Sequence, residues 1–174
     1  GRYNIALGLS ALRYNTQGEG NTAIGTGALM ANTEGCYNIG MGWQVLASNT
    51  VGYHNVGMGM SALPSNTSGM RNVGVGANTL QGNMTGNNNT AVGHNALSCH
   101  VNYPNQSNNT AVGCNAGYLN GAYTNTTCLG YQATVTGANQ VQLGNTSTTT
   151  YVFGTVQNRS DARDKADIVD SNIG

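Results

Sequence analysis

The chain has 174 residues, enough for one ordinary domain, and only 7% of them are charged, against about 25% in an average soluble domain. Its formal net charge is zero, which gives no electrostatic case for a nucleic acid or an anionic membrane surface as a partner. No apolar run is long enough for membrane insertion. Because 39% of the residues are apolar, the composition also differs from that of a disordered chain, which combines low hydrophobicity with high net charge.

The first residues, "GRYN", contain no initiator methionine and no signal peptide, so we expect the chain to be a piece of a longer polypeptide. Glycine and asparagine contribute 26 residues each. Both are poor helix formers and both tolerate left-handed turn conformations. The composition therefore favours ordered, repetitive β structure.

A 17-residue repeat starts close to the N-terminus and follows the consensus N-x-[A/G]-Φ-G-x-x-A-L-x-x-N-T-x-G-x-x, where Φ is apolar. Its first asparagine recurs at this constant spacing, at Asn4, Asn21, Asn38, Asn55, Asn72 and Asn89. Asn109 then follows after a longer interval, Thr126 after a regular one and Gln140 after a shorter one. Sequence repeats of this length indicate stacked units that bury a core only together.

Six residues of one unit define the repeat: Asn21, Ile24, Gly25, Leu29, Asn32 and Gly35. We expect Ile24 and Leu29 to point inward, the asparagines to form hydrogen-bonded ladders along the stack, and the glycines to turn the chain or to admit a neighbouring backbone. One unit leaves room for two short strands and two turns, and too little for two helices. The predicted fold is all-β, a parallel β-roll or β-solenoid of about nine coils and about 40–45 Å in length.

Strand alternation suggests how the coils associate. The Φ residues and the β-branched residues two places before them share one face of the strand, which we expect to be the core. Between them lies a column of small residues, such as Ala23 and Gly40, which would then face outward and let another backbone approach. The simplest partner for that face is an identical chain, so we predict a side-by-side or intertwined homotrimer.

The phrases "NTAIGTGAL", "NTAVGHNAL" and "NTAVGCNAG" resemble the head repeats of trimeric autotransporter adhesins and related repeats in bacteriophage tail fibres. The resemblance covers residues 1–144 and implies left-handed parallel β-rolls from three chains packed side by side. The adhesin repeat is commonly shorter than the repeat of this chain, which is a departure from the family pattern.

The composition changes at the C-terminus, where residues 145–159 form a connecting neck and residues 160–174 read "SDARDKADIVDSNIG". This segment resembles the start of the endosialidase-type intramolecular chaperone of phage tailspikes and tail fibres, with matches at Ser160, Asp161, Arg163, Lys165 and Ile168. The resemblance implies single-turnover self-cleavage before Ser160, with Lys165 accepting the hydroxyl proton. Asp164 departs from the motif, and a solvated helix start capped by Ser160 or Asp161 is the alternative.

Other chemistry is sparse in the repeats. Glu19 and Glu34, the only carboxylates before residue 160, lie in different columns and do not form a glycosidase pair. Cys36, Cys99, Cys114 and Cys128 contain no C-x-x-C pair, which excludes a common zinc motif, and we expect buried or half-buried free thiols. The Cys99–His100 pair is a surface loop in the simplest interpretation. We therefore predict no metal site, no cofactor and no catalytic residue in the repeats.

These observations predict a structural fibre protein of a phage tail, extracellular on the virion, that mediates attachment to the host cell surface. Its expected partners are identical chains, other tail proteins, and a glycan or protein receptor on the host. The alternatives are a bacterial trimeric adhesin on the cell surface and an ice-binding solenoid. The last requires an unbroken threonine face, which Ile39, Val56 and Val73 interrupt.

Overall fold

A computed structural model describes residues 1–98, 105–118 and 123–151. These residues form nine short parallel strands in one sheet, in the order of the sequence. The strands are β1 (Ile5–Leu7), β2 (Thr22–Ile24), β3 (Ile39–Met41), β4 (Val56–Met58), β5 (Val73–Val75), β6 (Thr90–Val92), β7 (Thr110–Val112), β8 (Thr127–Leu129) and β9 (Val141–Leu143). The described part holds no helix that could cross a membrane.

The fold is the predicted β-solenoid, with successive strands joined by turns of the coil. Equivalent repeat positions lie opposite one another, as in the pairing of Ala23 with Gly40. The step from β6 to β7 is longer than the regular step and the step from β8 to β9 is shorter, as the spacing of the repeat indicated. The column structure inferred from the sequence is therefore the physical register of the sheet.

Each coil contains one strand, so the prediction of two strands per coil was wrong. The recurrent leucine of the second half, such as Leu29, has a φ of about 50°, a left-handed conformation that extended strands do not adopt. Its backbone nevertheless bonds the next coil, because the Leu29 N–H donates to the Val45 carbonyl at 3.0 Å. The second half is a stacked turn that presents its leucine to the core.

The two faces of the strand are the reverse of the prediction. The small residues, Ala23, Gly40 and their equivalents, are buried, whereas Ile24 is only half-buried and Met41 is 37% exposed. A Cβ on Gly40 would lie 3.1 Å from Val45 and 3.4 Å from Leu29. The strand lies so close to the leucine column across the thin coil that only small residues fit inside, and the large apolar residues face outward.

The core is therefore narrow and built from the second half of each coil. Leu29, Leu46 and Leu63 are fully buried, together with alanines such as Ala28 and Ala62. The expectation that Leu29 points inward is confirmed, and the same expectation for Ile24 is wrong.

The glycine that follows each strand does both of the jobs predicted for it. Gly25 has a φ of +128°, which L side chains rarely adopt. A Cβ there would also collide with the carbonyl oxygen of Gly42 in the next coil. Gly35 has an ordinary φ, but a Cβ on it would collide with the Asn32 side chain and the Gly52 carbonyl, so close packing alone requires glycine at that position.

Candidate functional site

Asn21 belongs to a buried ladder that runs along the stack. Its Oδ1 accepts from the backbone N–H of Asn38 at 2.9 Å and from the Asn38 side-chain amide at 3.2 Å. Its Nδ2 donates to the Gly35 carbonyl at 2.8 Å. The same pattern repeats to Asn109, whose Oδ1 accepts from the Thr126 N–H and hydroxyl. The ladder satisfies polar groups that would otherwise be buried without partners.

Asn32 belongs to a second ladder, parallel to the first. It donates to the Asn15 Oδ1 at 2.9 Å, and its Oδ1 accepts from Asn49 at 2.7 Å. It also donates to the Gly35 carbonyl at 2.9 Å. The Gly35 carbonyl therefore accepts from both ladders, and this bridge recurs once per coil in the regular part of the repeat. Asparagine is suited to these places because one amide both donates and accepts.

One surface available to a partner is the outer strand face, which we define as the first and third residues of the nine strands. It comprises fourteen apolar residues and four threonines: Ile5, Leu7, Thr22, Ile24, Ile39, Met41, Val56, Met58, Val73, Val75, Thr90, Val92, Thr110, Val112, Thr127, Leu129, Val141 and Leu143. Ten of the apolar residues are at least 36% exposed. None of the eighteen side chains is charged.

The apolar area of the outer strand face indicates whether it is large enough to bind a partner. Complete burial of an aliphatic side chain removes about 60–120 Å² from water, the area that corresponds to about 1.5–3 kcal/mol at about 25 cal/mol/Å². With its fourteen apolar residues about two fifths exposed, the outer strand face presents on the order of 500 Å² of apolar surface. The largest patch on a typical monomer covers about 300–600 Å² and is often functional. The outer strand face is thus large enough to be an interaction surface.

An aromatic cluster, whose residues the sequence analysis did not assign to a site, lies at the turn before β3 and β4. The rings of Tyr37 and His54 stack with centroids 5.3 Å apart, and Tyr53 meets His54 edge-on at the same distance. The signal in the sequence was the separation of Tyr37 and His54 by one repeat, which places them in one column.

The described cysteines are all free thiols, with Cys36 half-buried and Cys128 buried as predicted. Cys114 is exposed, contrary to the prediction, and its Sγ lies 4.0 Å from the His94 Nδ1. Burial raises the pKa of the Cys128 thiol. Within residues 1–98, 105–118 and 123–151, no three His, Cys, Asp or Glu side chains come together as metal ligands.

The residues proposed for self-cleavage, Ser160 and Lys165, lie outside the described residues, as do Cys99 and His100. The fold thus defines a repeat β-solenoid with a narrow aliphatic core, two buried amide ladders and an apolar outer strand face. Comparisons of the chain with protein-family models, with curated proteins and with solved structures find no match.

Proposed function

We propose that this chain is a structural segment of a trimeric phage tail fibre that attaches the virion to the host cell surface. The observation that carries the proposal is the outer strand face, a continuous apolar surface along the whole length of the sheet. Burial of an apolar face of this size against a partner would be favourable in water. Identical chains are the simplest partner because their faces have the same length and the same repeat.

The interior supports a mechanical role. The strands pair only with the strand before and the strand after, and the two amide ladders run along the same direction through buried surroundings. Hydrogen bonds in a low-dielectric interior are strong and their groups are costly to expose. A stack of this kind resists bending and local opening, as a fibre that connects a virion to a cell requires.

The oligomeric state is the first test. Light scattering on the purified chain should give three times the mass of 17.9 kDa, and a stable monomer would contradict the proposal. Met58→Glu places a charge in the middle of the outer strand face and should dissociate the oligomer without loss of the β-type circular dichroism spectrum. Ser68→Glu is the matched control, because it adds the same charge in the column where Glu34 occurs naturally.

A bacterial trimeric adhesin has the same solenoid and the same oligomer, so a different experiment separates it from the phage fibre. Antibodies against the chain should label the tails of virions in electron micrographs. Labelling of the surface of uninfected bacteria instead would favour the adhesin. The ice-binding alternative gains no support, because Ile39, Val56 and Val73 interrupt the threonines of the outer strand face.

A further inference from the structure

A groove with both apolar and polar walls lies at the C-terminal end of the described solenoid, where the repeat becomes irregular. Two adjoining concavities of about 340 and 460 Å³ share Gln132 and Thr134 in their walls. We call them together the terminal groove, whose lining includes Asn115, Tyr118, Gln132, Thr134, Gln142 and Thr146. Their volumes lie in the range of small-molecule sites, about 300–1,000 Å³.

The groove forms where two features of the regular coil are lost. The step from β8 to β9, from Thr127 to Val141, is shorter than the step between the regular coils. The leucine column also ends at Leu97, since Gly117 and Thr134 occupy the next two places. Fewer and smaller residues fill the second half of these coils, and the surface is concave there.

The walls carry polar groups that the described part of the chain does not use. The Gln132 amide and the Thr134 and Thr146 hydroxyls make no hydrogen bond within the described residues. Asn115 accepts from Asn95 at 3.1 Å through its Oδ1, which leaves its amide hydrogens able to donate. Amides and hydroxyls of this kind along one groove match a ligand rich in hydroxyl groups, because each can donate or accept.

The described lining residues include one aromatic ring and no charged side chain. Tyr118 is 50% exposed, so part of its ring is open to the C–H face of a flat, partly apolar ligand. No Asp, Glu, Lys or Arg occurs between residues 72 and 158. A binding site for sialic acid, phosphate or sulfate would use arginine or lysine, and the described lining of the terminal groove has neither.

We propose that the terminal groove binds a neutral oligosaccharide. The inference rests on the proposed function, since it names the part of the fibre that would contact a host glycan. Sugar hydroxyls would bond Gln132, Thr134 and Asn115, and one sugar ring would stack on Tyr118. The uncharged surroundings would favour neutral sugars over anionic ones.

The test uses the whole chain on an array of neutral, sialylated and sulfated oligosaccharides, followed by NMR titration of each glycan that binds. We expect binding to neutral glycans only. Gln132→Ser and Tyr118→Ala should each raise the Kd at least tenfold. Both replacements occur naturally at the equivalent repeat positions, as Ser61 and Ala47, so they are compatible with the coil.

Matched controls are available in the regular coils. Gln44→Ser changes the same column at nearly the same φ, 50° against 53° for Gln132, and Tyr14→Ala removes a ring of similar exposure, 52%. Both should bind glycans as the unmodified chain does. No binding to any neutral glycan, preference for anionic glycans, or an unchanged Kd for Gln132→Ser would overturn the proposal.

The outcome is separable from the proposed function. If the Gln132→Ser chain attaches to host cells as well as the unmodified chain does, the terminal groove is not the receptor site, although the fibre proposal stands. If light scattering shows a monomer, the fibre proposal fails whatever the glycan array shows.

Discussion

Replacement of Asn55 by alanine tests whether the amide ladders stabilise the solenoid. The Asn55 side chain is fully buried and makes four hydrogen bonds. It donates to the Gly69 carbonyl at 2.8 Å and to the Asn38 Oδ1 at 3.2 Å, and it accepts from the Asn72 N–H at 3.0 Å and the Asn72 Nδ2 at 3.2 Å. Alanine removes all four.

The cost follows from what each partner keeps. The Gly69 carbonyl still accepts from Asn66, the Asn38 Oδ1 still accepts from the backbone N–H of residue 55, and the Asn72 amide still donates to a glycine carbonyl. Of these partners, the Asn72 backbone N–H alone loses its acceptor. With about 1–3 kcal/mol for that orphaned donor and about 0.5–1.5 kcal/mol for each of the three other bonds, the free energy of unfolding should fall by about 2.5–7.5 kcal/mol. A loss of this size is a large fraction of ordinary protein stability, about 5–15 kcal/mol.

Urea denaturation followed by circular dichroism measures the effect. Asn105→Ala removes an exposed asparagine whose side chain makes no hydrogen bond within the described residues, and it should change the free energy of unfolding by no more than about 0.5 kcal/mol. Asn55→Thr should recover part of the loss, because Thr126 occupies an equivalent place and donates its hydroxyl to Asn109 at 2.8 Å. An Asn55→Ala protein within about 1 kcal/mol of the unmodified chain would refute the reasoning.

Two further predictions concern the core. Gly57→Ala should lower the free energy of unfolding by about 1–3 kcal/mol, because the added Cβ would lie 2.5 Å from the Val45 Cγ2. Val45→Ala in the same chain should relieve most of that cost. Urea denaturation of the two single variants and the double variant measures this coupling, and additive effects of the two replacements would contradict the prediction. The buried Cys128 thiol has a raised pKa, chiefly through desolvation. The neutral thiol therefore contributes its full share to the stability of the folded chain below the pKa of the unfolded chain, near 9.0, and this share is lost as the pH rises through the higher pKa of the folded chain. Cys128→Ala should remove this loss of stability at alkaline pH. If the free energy of unfolding of the variant falls with pH as much as that of the unmodified chain, the loss belongs to other groups.

The sequence was sufficient to predict the period and the stacking of the coils, because its strongest constraints are local and repeat in register. Gly25 and its equivalents are unbroken since both the φ and the next coil exclude a side chain. Asn21 and Asn32 recur because a shift of either by one residue would leave buried amides without partners. Constraints of this kind appear directly in the spacing.

The orientation of the strand was not predictable from alternation alone. Alternation places Ile24 and Ala23 on opposite faces without specifying which face is inside, and the usual preference for large apolar residues in a core favoured the wrong one. The deciding fact is the closeness of the leucine column, which depends on the left-handed φ of residues such as Leu29. The terminal groove was missed for a related reason, because its residues meet through the shortening of one coil.

Because the strands pair in the order of the sequence, the number of repeat units sets the length of the solenoid. Every strand bonds only its neighbours in the sequence, so the insertion or removal of one repeat unit leaves each remaining column intact and changes the length by about 4.8 Å. Recombination between such similar units can therefore lengthen or shorten the protein in fixed steps, with the fold unchanged at every step. The length of the solenoid can therefore change in evolution without a change in the residues at its C-terminal end.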